Sequence, residues 1–276
     1  MHSDRRKLRA WGAEVTIADT GSTADPTPPV VVLHGEEGPD TVRALVARLP
    51  ESSRVLTITH PGFDRRGRVP GVDRPQELAY LYLDLLDDLG IVECSLVGAS
   101  LGAWVALEAA VMEPRRFTSL TAISPVGAKF NGRTDRSFAE VLVAAPDTIR
   151  DVLYADGDLD PWRGRTATED VIERAEYRES FMHYVWEPYL HNPRLPGLLP
   201  RITAPVLVIA GDEDGLVDQD YYESLANCFP DARLERVAGA GHYPEIEKPT
   251  ETAELITKFS AGNAPALAAT AGRDTH

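Results

Sequence analysis

Ser100 stands in the run Gly98-Ala99-Ser100-Leu101-Gly102, and small residues on both sides of a serine are what a tight strand-to-helix turn requires. The apolar run before it, 94–97, reads as a strand, and residues 101–112 read as a helix. Such a turn lifts the hydroxyl clear of the sheet. It also aims the backbone N–H of Leu101 and the positive end of the helix at the point where an oxyanion would form. Serine at its own pKa is a poor nucleophile and needs a base. The seven histidines are His2, His34, His60, His183, His191, His242 and His276. Of these, His242 lies in Gly239-Ala240-Gly241-His242-Tyr243-Pro244, a flexible loop after the strand 233–237, where an imidazole can be carried to a nucleophile. A base needs an orienting carboxylate, and the loop Gly211-Asp212-Glu213-Asp214-Gly215 follows the strand 206–210. Spacing leaves Asp212 and Asp214 both open. His34-Gly35-Glu36-Glu37-Gly38 follows the strand 30–33, so the N–H of Glu36 is the natural second oxyanion donor beside that of Leu101. The ring of His34 is expected to order its loop. A serine, a histidine and an aspartate in this arrangement can transfer an acyl group through a covalent intermediate, with no metal or organic cofactor.

These residues need a scaffold. The apolar runs 30–33, 55–58, 95–97, 120–123 and 206–209 are short and Val- or Ile-rich, with little alternation, as in strands covered on both faces. Helical patterns lie between and after them at 41–49, 75–89, 101–112, 219–228 and 250–260. The alternation predicts an α/β fold with a doubly wound, mostly parallel sheet. It fails over 127–200, which reads as helices and loops inserted between two strands. An insertion at their carboxyl ends would cover the ligand crevice as a cap or lid. The expected organisation is a core of 1–126 and 201–261, a helical cap of 127–200, and a mobile tail of 262–276 rich in Ala, Gly, Pro and Thr. Within the cap, Trp162, Phe181 and Trp186 are the candidate substrate-binding groups, with Tyr177 and Tyr189 as further aromatics. Trp104 is assigned to the core.

Composition bounds the rest. At 276 residues and 43% hydrophobic content the chain can bury a substantial core. A net charge of −15 argues against nucleic acid or an anionic membrane as partner. No apolar run has the length to cross a bilayer, and no secretory signal is expected from the first residues. Cys94 and Cys228 form neither a disulfide framework nor a metal motif and are expected to be buried thiols. Asp156-Gly157-Asp158-Leu159-Asp160 has calcium-loop spacing but no distal glutamate, so no metal site is assigned. The reading is a cytoplasmic protein acting on a small molecule, with a homodimer left open.

The stretches HGEEG, GASLG, GDEDGLV and GAGHYPEIEKP, in this order, resemble the α/β-hydrolase superfamily over about residues 12 to 260. The resemblance implies a serine hydrolase with a cap domain. Its G-x-x-D register after the seventh strand falls on Gly211 and Asp214, which favours Asp214 over Asp212. Two places depart from the family. Thr59-His60-Pro61-Gly62-Phe63-Asp64 has His60 and Asp64 where Asp and Gly are usual, so that loop is expected to be rebuilt. Glu36 and Glu37 put two acids near a developing negative charge, where they either point to solvent or disfavour anionic substrates. Ser100 argues against the dehalogenases and epoxide hydrolases of the fold, which resemble one another in using aspartate there. Carbon–carbon bond hydrolases often have Asn before the serine and Trp after the histidine, against Ala99 and Tyr243 here. The expected activity is hydrolysis of an ester, thioester or lactone of a small to medium apolar molecule. Alternatives are a carbon–carbon hydrolase, a lyase or cyclase with the same three residues, and a ligand-binding receptor of the same fold.

Overall fold

A computed structural model describes residues 2–8, 11–21, 27–132 and 134–263. Eight strands form one sheet: β1 (His2–Leu8), β2 (Ala13–Thr20), β3 (Val30–Leu33), β4 (Val55–Thr59), β5 (Cys94–Ala99), β6 (Phe117–Ile123), β7 (Val206–Gly211) and β8 (Ala232–Val237). Their order is β1-β2-β4-β3-β5-β6-β7-β8. The pairs β1–β2 and β2–β4 are antiparallel, and every later pair is parallel. The expected doubly wound, mostly parallel sheet is therefore present, extended by an N-terminal hairpin that the apolar runs do not announce.

The helices are α1 (Arg43–Val46), α2 (Pro75–Asp88), α3 (Leu101–Met112), α4 (Pro146–Leu153), α5 (Thr168–Val185), α6 (Leu195–Leu198), α7 (Gln219–Ala226), α8 (Pro244–Glu247) and α9 (Pro249–Gly262). The helix expected over 41–49 is shorter: a 3₁₀ turn, Pro39–Val42, runs into the four residues of α1. The C-terminal helix is longer than expected and reaches Gly262. Residues 264–276, most of the expected tail, lie outside the described residues.

Period-two alternation along the strands divides the core between two faces. Val31 and Leu33 of β3, Leu96 of β5, and Val206 and Val208 of β7 pack on the face covered by α2 and α3. Val32, Val97, Leu207 and Ile209 pack on the other, against Leu45 of α1 and Ile256 and Phe259 of α9. Cys94 is buried, whereas Cys228 is only partly so.

The chain steps from β3 outward to β4 and then crosses to β5 on the other side of β3. That reversal opens a crevice at the carboxyl ends of β3 and β5, the usual place for a ligand in an open α/β sheet. The segment between β6 and β7 carries α4, α5 and α6 and reaches over this edge. Ser180 Oγ donates to Gly62 O (3.1 Å) and Tyr184 OH to Pro61 O (3.0 Å), both in the loop after β4. The N–H of His242 donates to Leu153 O (2.7 Å) at the end of α4. The two arms of the segment meet where Gly127 N–H donates to Leu190 O (3.0 Å) and Asn192 N–H donates back to Gly127 O (2.8 Å).

A buried carboxylate fastens this neck to the helix behind Ser100. Glu108 Oε1 accepts from Gln76 Nε2 (2.8 Å), Trp104 Nε1 (2.9 Å) and Asn192 Nδ2 (2.9 Å). Glu108→Ala would strand three partly or fully buried donors, at about 1–3 kcal/mol for each left unsatisfied. Thermal unfolding of Glu108→Ala should therefore show a loss of about 3 kcal/mol or more, and Glu108→Gln, which keeps an acceptor, less than half of it. Equal losses in the two variants would contradict this role.

Candidate active site

Ser100 joins β5 to α3 at φ 46° and ψ −111°, a region that L-residues avoid. The neighbouring glycines make the turn possible. A Cβ on Gly98 would lie 2.4 Å from Gly102 O, and one on Gly102 would lie 2.4 Å from Leu33 O and 2.5 Å from His34 O. The N–H of Ser100 is taken by Ile123 O (2.9 Å). The N–H groups at the start of α3, Leu101 first, lie in the turn of a helix that has no intrahelical acceptors for them. A Cβ on Gly35 would stand 3.4 Å from both Ala99 O and Ser100 Cβ, so the loop that carries Glu36 lies directly beside the serine.

His242 reaches Ser100 from the loop after β8. Its Nδ1 lies 2.8 Å from Asp214 Oδ2 and its Nε2 lies 2.9 Å from Ser100 Oγ. The carboxylate fixes the tautomer: Nδ1–H donates to Asp214, leaving Nε2 to accept from the serine hydroxyl. Asp214 is held in turn by the N–H of Leu216 (2.8 Å) on Oδ1 and by the hydroxyl of Tyr222 on Oδ2. The G-x-x-D register thus places Asp214, not Asp212, at the histidine. Asp212 is exposed and accepts the N–H of Gly239 (2.7 Å), which braces the loop on which His242 sits. Backbones cross closely here, and a Cβ on Gly211 would lie 1.9 Å from Gly241 O. Burial disfavours a charged imidazole at His242. The charge and hydrogen bond of Asp214, with Glu36 and Glu245 nearby, outweigh that and raise its pKa above the usual 6.5.

The other two central histidines are structural. His34 Nε2 accepts the N–H of His60 (3.0 Å), so His34 Nδ1–H donates to Gly35 O (2.6 Å). His60 Nε2–H donates to His34 O (2.8 Å), and Nδ1 receives the hydroxyl of Tyr82. Burial pushes His60 down to about 4 and His34 well below its usual value. Both stay neutral and clamp the rebuilt loop after β4 to the loop after β3. Asp64 accepts from Thr16 Oγ1 (2.9 Å) and ties that loop to β2.

Glu36 does not point to solvent. It is 8% exposed, and its Oε1 accepts the hydroxyl of Tyr243 (2.7 Å), the residue after His242. Half-buried Glu37 is raised to about 7, first by burial and then by the charge of Glu36. Both glutamates line a cavity with Leu142, Ile149, Leu153, Trp162, Tyr177, Arg174, Arg178 and Phe181 of the segment between β6 and β7. Of the candidate substrate-binding aromatics, Trp162 and Phe181 line this cavity, on the side of Glu36. Trp186 does not: it caps the end of α5, is 57% exposed and is absent from the lining. The 3.6-residue period turns Tyr177, Phe181 and Tyr184 inward and carries Trp186 past the end of that face. Tyr189 is spent on Ala139 O (2.7 Å). Tyr222, Tyr243, Glu245, Arg174 and Arg178 were not singled out from the sequence. Only Tyr243, adjacent to His242, offered a signal there.

Among the described residues no group of three His, Cys, Asp or Glu side chains could hold a metal ion, and no helix is long and apolar enough to cross a membrane. The acids at 156–160 are used locally: Asp156 accepts the N–H of Asp158, Asp160 accepts that of Trp162, and Asp158 pairs with Arg163.

Several proteins have similar sequences, three of which illustrate the range. The chain is 28% identical over 236 residues to polyketide synthase ThaQ of Burkholderia thailandensis, covering 78% of this chain but only 11% of that protein's length. It is 25% identical to a 2-hydroxy-6-oxononadienedioate/2-hydroxy-6-oxononatrienedioate hydrolase of a Pseudomonas species, covering 84% of this chain and 87% of the relative. Esterase YbfF of Escherichia coli is 24% identical, with 88% and 96% covered. A serine hydrolase structure from Cycloclasticus zankles superposes with a TM-score of 0.76 at 19% identity, over 95% of this chain and 98% of that one, a likeness of fold. The model of the Alpha/beta hydrolase family matches residues 30–255, from the first parallel strand into the last helix. The chain belongs to the alpha/beta hydrolase family and is an enzyme of the hydrolase class.

Proposed function

We propose that this enzyme cleaves a carboxylic ester, thioester or lactone of a small to medium apolar molecule through an acyl-enzyme on Ser100. The observation that carries the reading is the imidazole of His242 held at hydrogen-bond distance from both Ser100 Oγ and Asp214 Oδ2. As Ser100 Oγ bonds to the carbonyl carbon, its proton passes to His242 Nε2, and Asp214 balances the imidazolium. The N–H groups of Leu101 and Glu36 receive the oxyanion. Its collapse expels the alcohol, which takes the proton from Nε2. Water then attacks the acyl carbon, returns a proton through His242 and frees Ser100.

The cavity supplies the apolar side of this reading. Trp162, Phe181 and Tyr177 line it with Ile149 and Leu153. Ser100 is 1% exposed and lies outside this lining; Glu36, next to the Gly35 that lies against the serine, connects the two. The Pseudomonas relative, named for a substrate with a carbon–carbon bond to cleave, favours a second reading, cleavage of that bond in an oxo-dienoate by the same three residues.

Three outcomes follow. A fluorophosphonate should label Ser100, p-nitrophenyl esters should be hydrolysed, and Ser100→Ala should abolish both. Labelling without ester turnover, joined to cleavage of an oxo-dienoate, would select the second reading, and no labelling at Ser100 would overturn the acyl-enzyme. Asp214→Asn should lower kcat by on the order of 10⁴. Asp212→Asn should cost far less, and the reverse ranking would contradict the register. Nucleophilicity requires neutral His242, so the labelling rate should rise with pH through a midpoint above 6.5. A midpoint at or below 6.5 would mean that Asp214 does not bear on the imidazole as its position implies.

A further inference from the structure

Glu36, which lines the cavity, carries a polar atom left without a partner among the described residues: its Oε1 accepts from Tyr243, but its Oε2 is buried and unpaired. Beside it, the buried Nε1 of Trp162 faces the Glu37 carboxylate. A buried carboxylate oxygen with no donor is expensive to keep, and a ligand that supplies the donor removes the penalty.

Glu36 and Glu37 act on each other at the cavity wall, with Asp160 and Arg174 also within reach of Glu37. Arg174 already pairs with Asp160 at 3.6 Å. Arg178 spends its guanidinium on Leu142 O (2.9 Å) and Val141 O (3.3 Å). Both lining guanidiniums are thus engaged elsewhere, which leaves Glu36 and Glu37 without an ion-pair partner among the described residues.

We propose that Glu36 and Glu37 form a subsite for a positively charged, hydrogen-bond-donating nitrogen on the substrate, an ammonium a short distance from the scissile carbonyl. The distance is short because Glu36 follows Gly35, which lies against Ser100. An ammonium donates to Glu36 Oε2 and places its charge between the two carboxylates, while the apolar wall of Leu142, Ile149 and Phe181 takes the carbon chain. Burial first, and then the charge of Glu36, raises Glu37 to about 7, and a bound ammonium would favour its ionised form. A carboxylate-bearing substrate meets repulsion at the same place. The inference rests on the hydrolase reading only in making the cation part of an ester.

The test separates the subsite from the chemistry. In Ser100→Ala protein, n-pentylammonium, n-pentanol and hexanoate are titrated by calorimetry. Pentylammonium should bind about 10-fold or more tightly than pentanol, the scale of one charge-assisted hydrogen bond, and hexanoate most weakly. Adding Glu36→Gln, or Glu37→Gln as the variant that leaves Tyr243 untouched, should bring the ammonium-to-alcohol ratio toward one. Pentylammonium that binds no tighter than pentanol, or not at all, overturns the subsite. A preference that survives both substitutions overturns its assignment to these residues. In a second arm the intact enzyme is given methyl β-alaninate, methyl butanoate and monomethyl succinate, and kcat/KM should fall in that order. If none is hydrolysed while the ammonium preference in binding stands, the hydrolase reading fails and the subsite remains. Hydrolysis with the succinate ester preferred overturns the subsite and leaves the hydrolase reading in place.

Discussion

A residue at φ 46° and ψ −111° costs the fold about 1–3 kcal/mol, and it persists only where its surroundings allow nothing else. At Ser100 those surroundings are backbone. Gly98 touches Gly102, Gly102 touches the end of β3, and Gly35 lies against the serine itself. No side chain fits at Gly98 or Gly102, so the turn at Ser100, the end of β3 and the first turn of α3 are held in direct backbone contact. The helix behind the turn secures it. From Leu101 to Val111 every residue of α3 is buried, and its one acid is satisfied by donors from α2, from its own preceding turn and from the segment between β6 and β7. Burial of this helix offsets the strain, and the strain leaves the hydroxyl where an imidazole can meet it.

The same economy of polar groups explains three histidines with opposite behaviour. His34 and His60 are buried with only neutral partners, and burial lowers both. His242 is as deeply buried, but Asp214 lies 2.8 Å away and the shift reverses. Backbone and tyrosine donors surround the Asp214 carboxylate. Glu36, Glu37 and Glu245 have fewer donors, and burial drives Glu37 to about 7 and Glu245 to about 8. The site therefore holds one carboxylate that the protein fully satisfies and a group that it does not. The first lies against the imidazole of His242, and the second faces the cavity.

Much of this was legible in the residues. The strands β3, β5 and β7 declare themselves as Val- and Ile-rich runs because both their faces are covered, and GASLG announces its turn because the backbone contact there excludes side chains. The N-terminal hairpin was not legible in the same way. β2 alternates buried Val15 and Ile17 with polar residues, and β1 carries charge, so no apolar run marks either. The helix expected over 41–49 shortened because Pro50 follows immediately and only Val42, Leu45, Val46 and Leu49 find core to bury against. Trp186 shows the limit for single side chains. An aromatic near the end of a helix is turned in or out by a fraction of a turn, which composition does not encode. Glu36 shows the opposite limit, since an acid in a loop reads as solvated until the tyrosine that holds it is seen.

The central claim is that Ser100 becomes covalently acylated with His242 as its base. Rapid chemical quench of the enzyme with p-nitrophenyl butanoate, followed by peptide mass analysis, reads that event directly. The account predicts a butanoyl adduct on the peptide containing Ser100, formed within one turnover and decaying as substrate is exhausted. Turnover of the ester with no adduct on Ser100 at any time, or with the adduct on another residue, would contradict it.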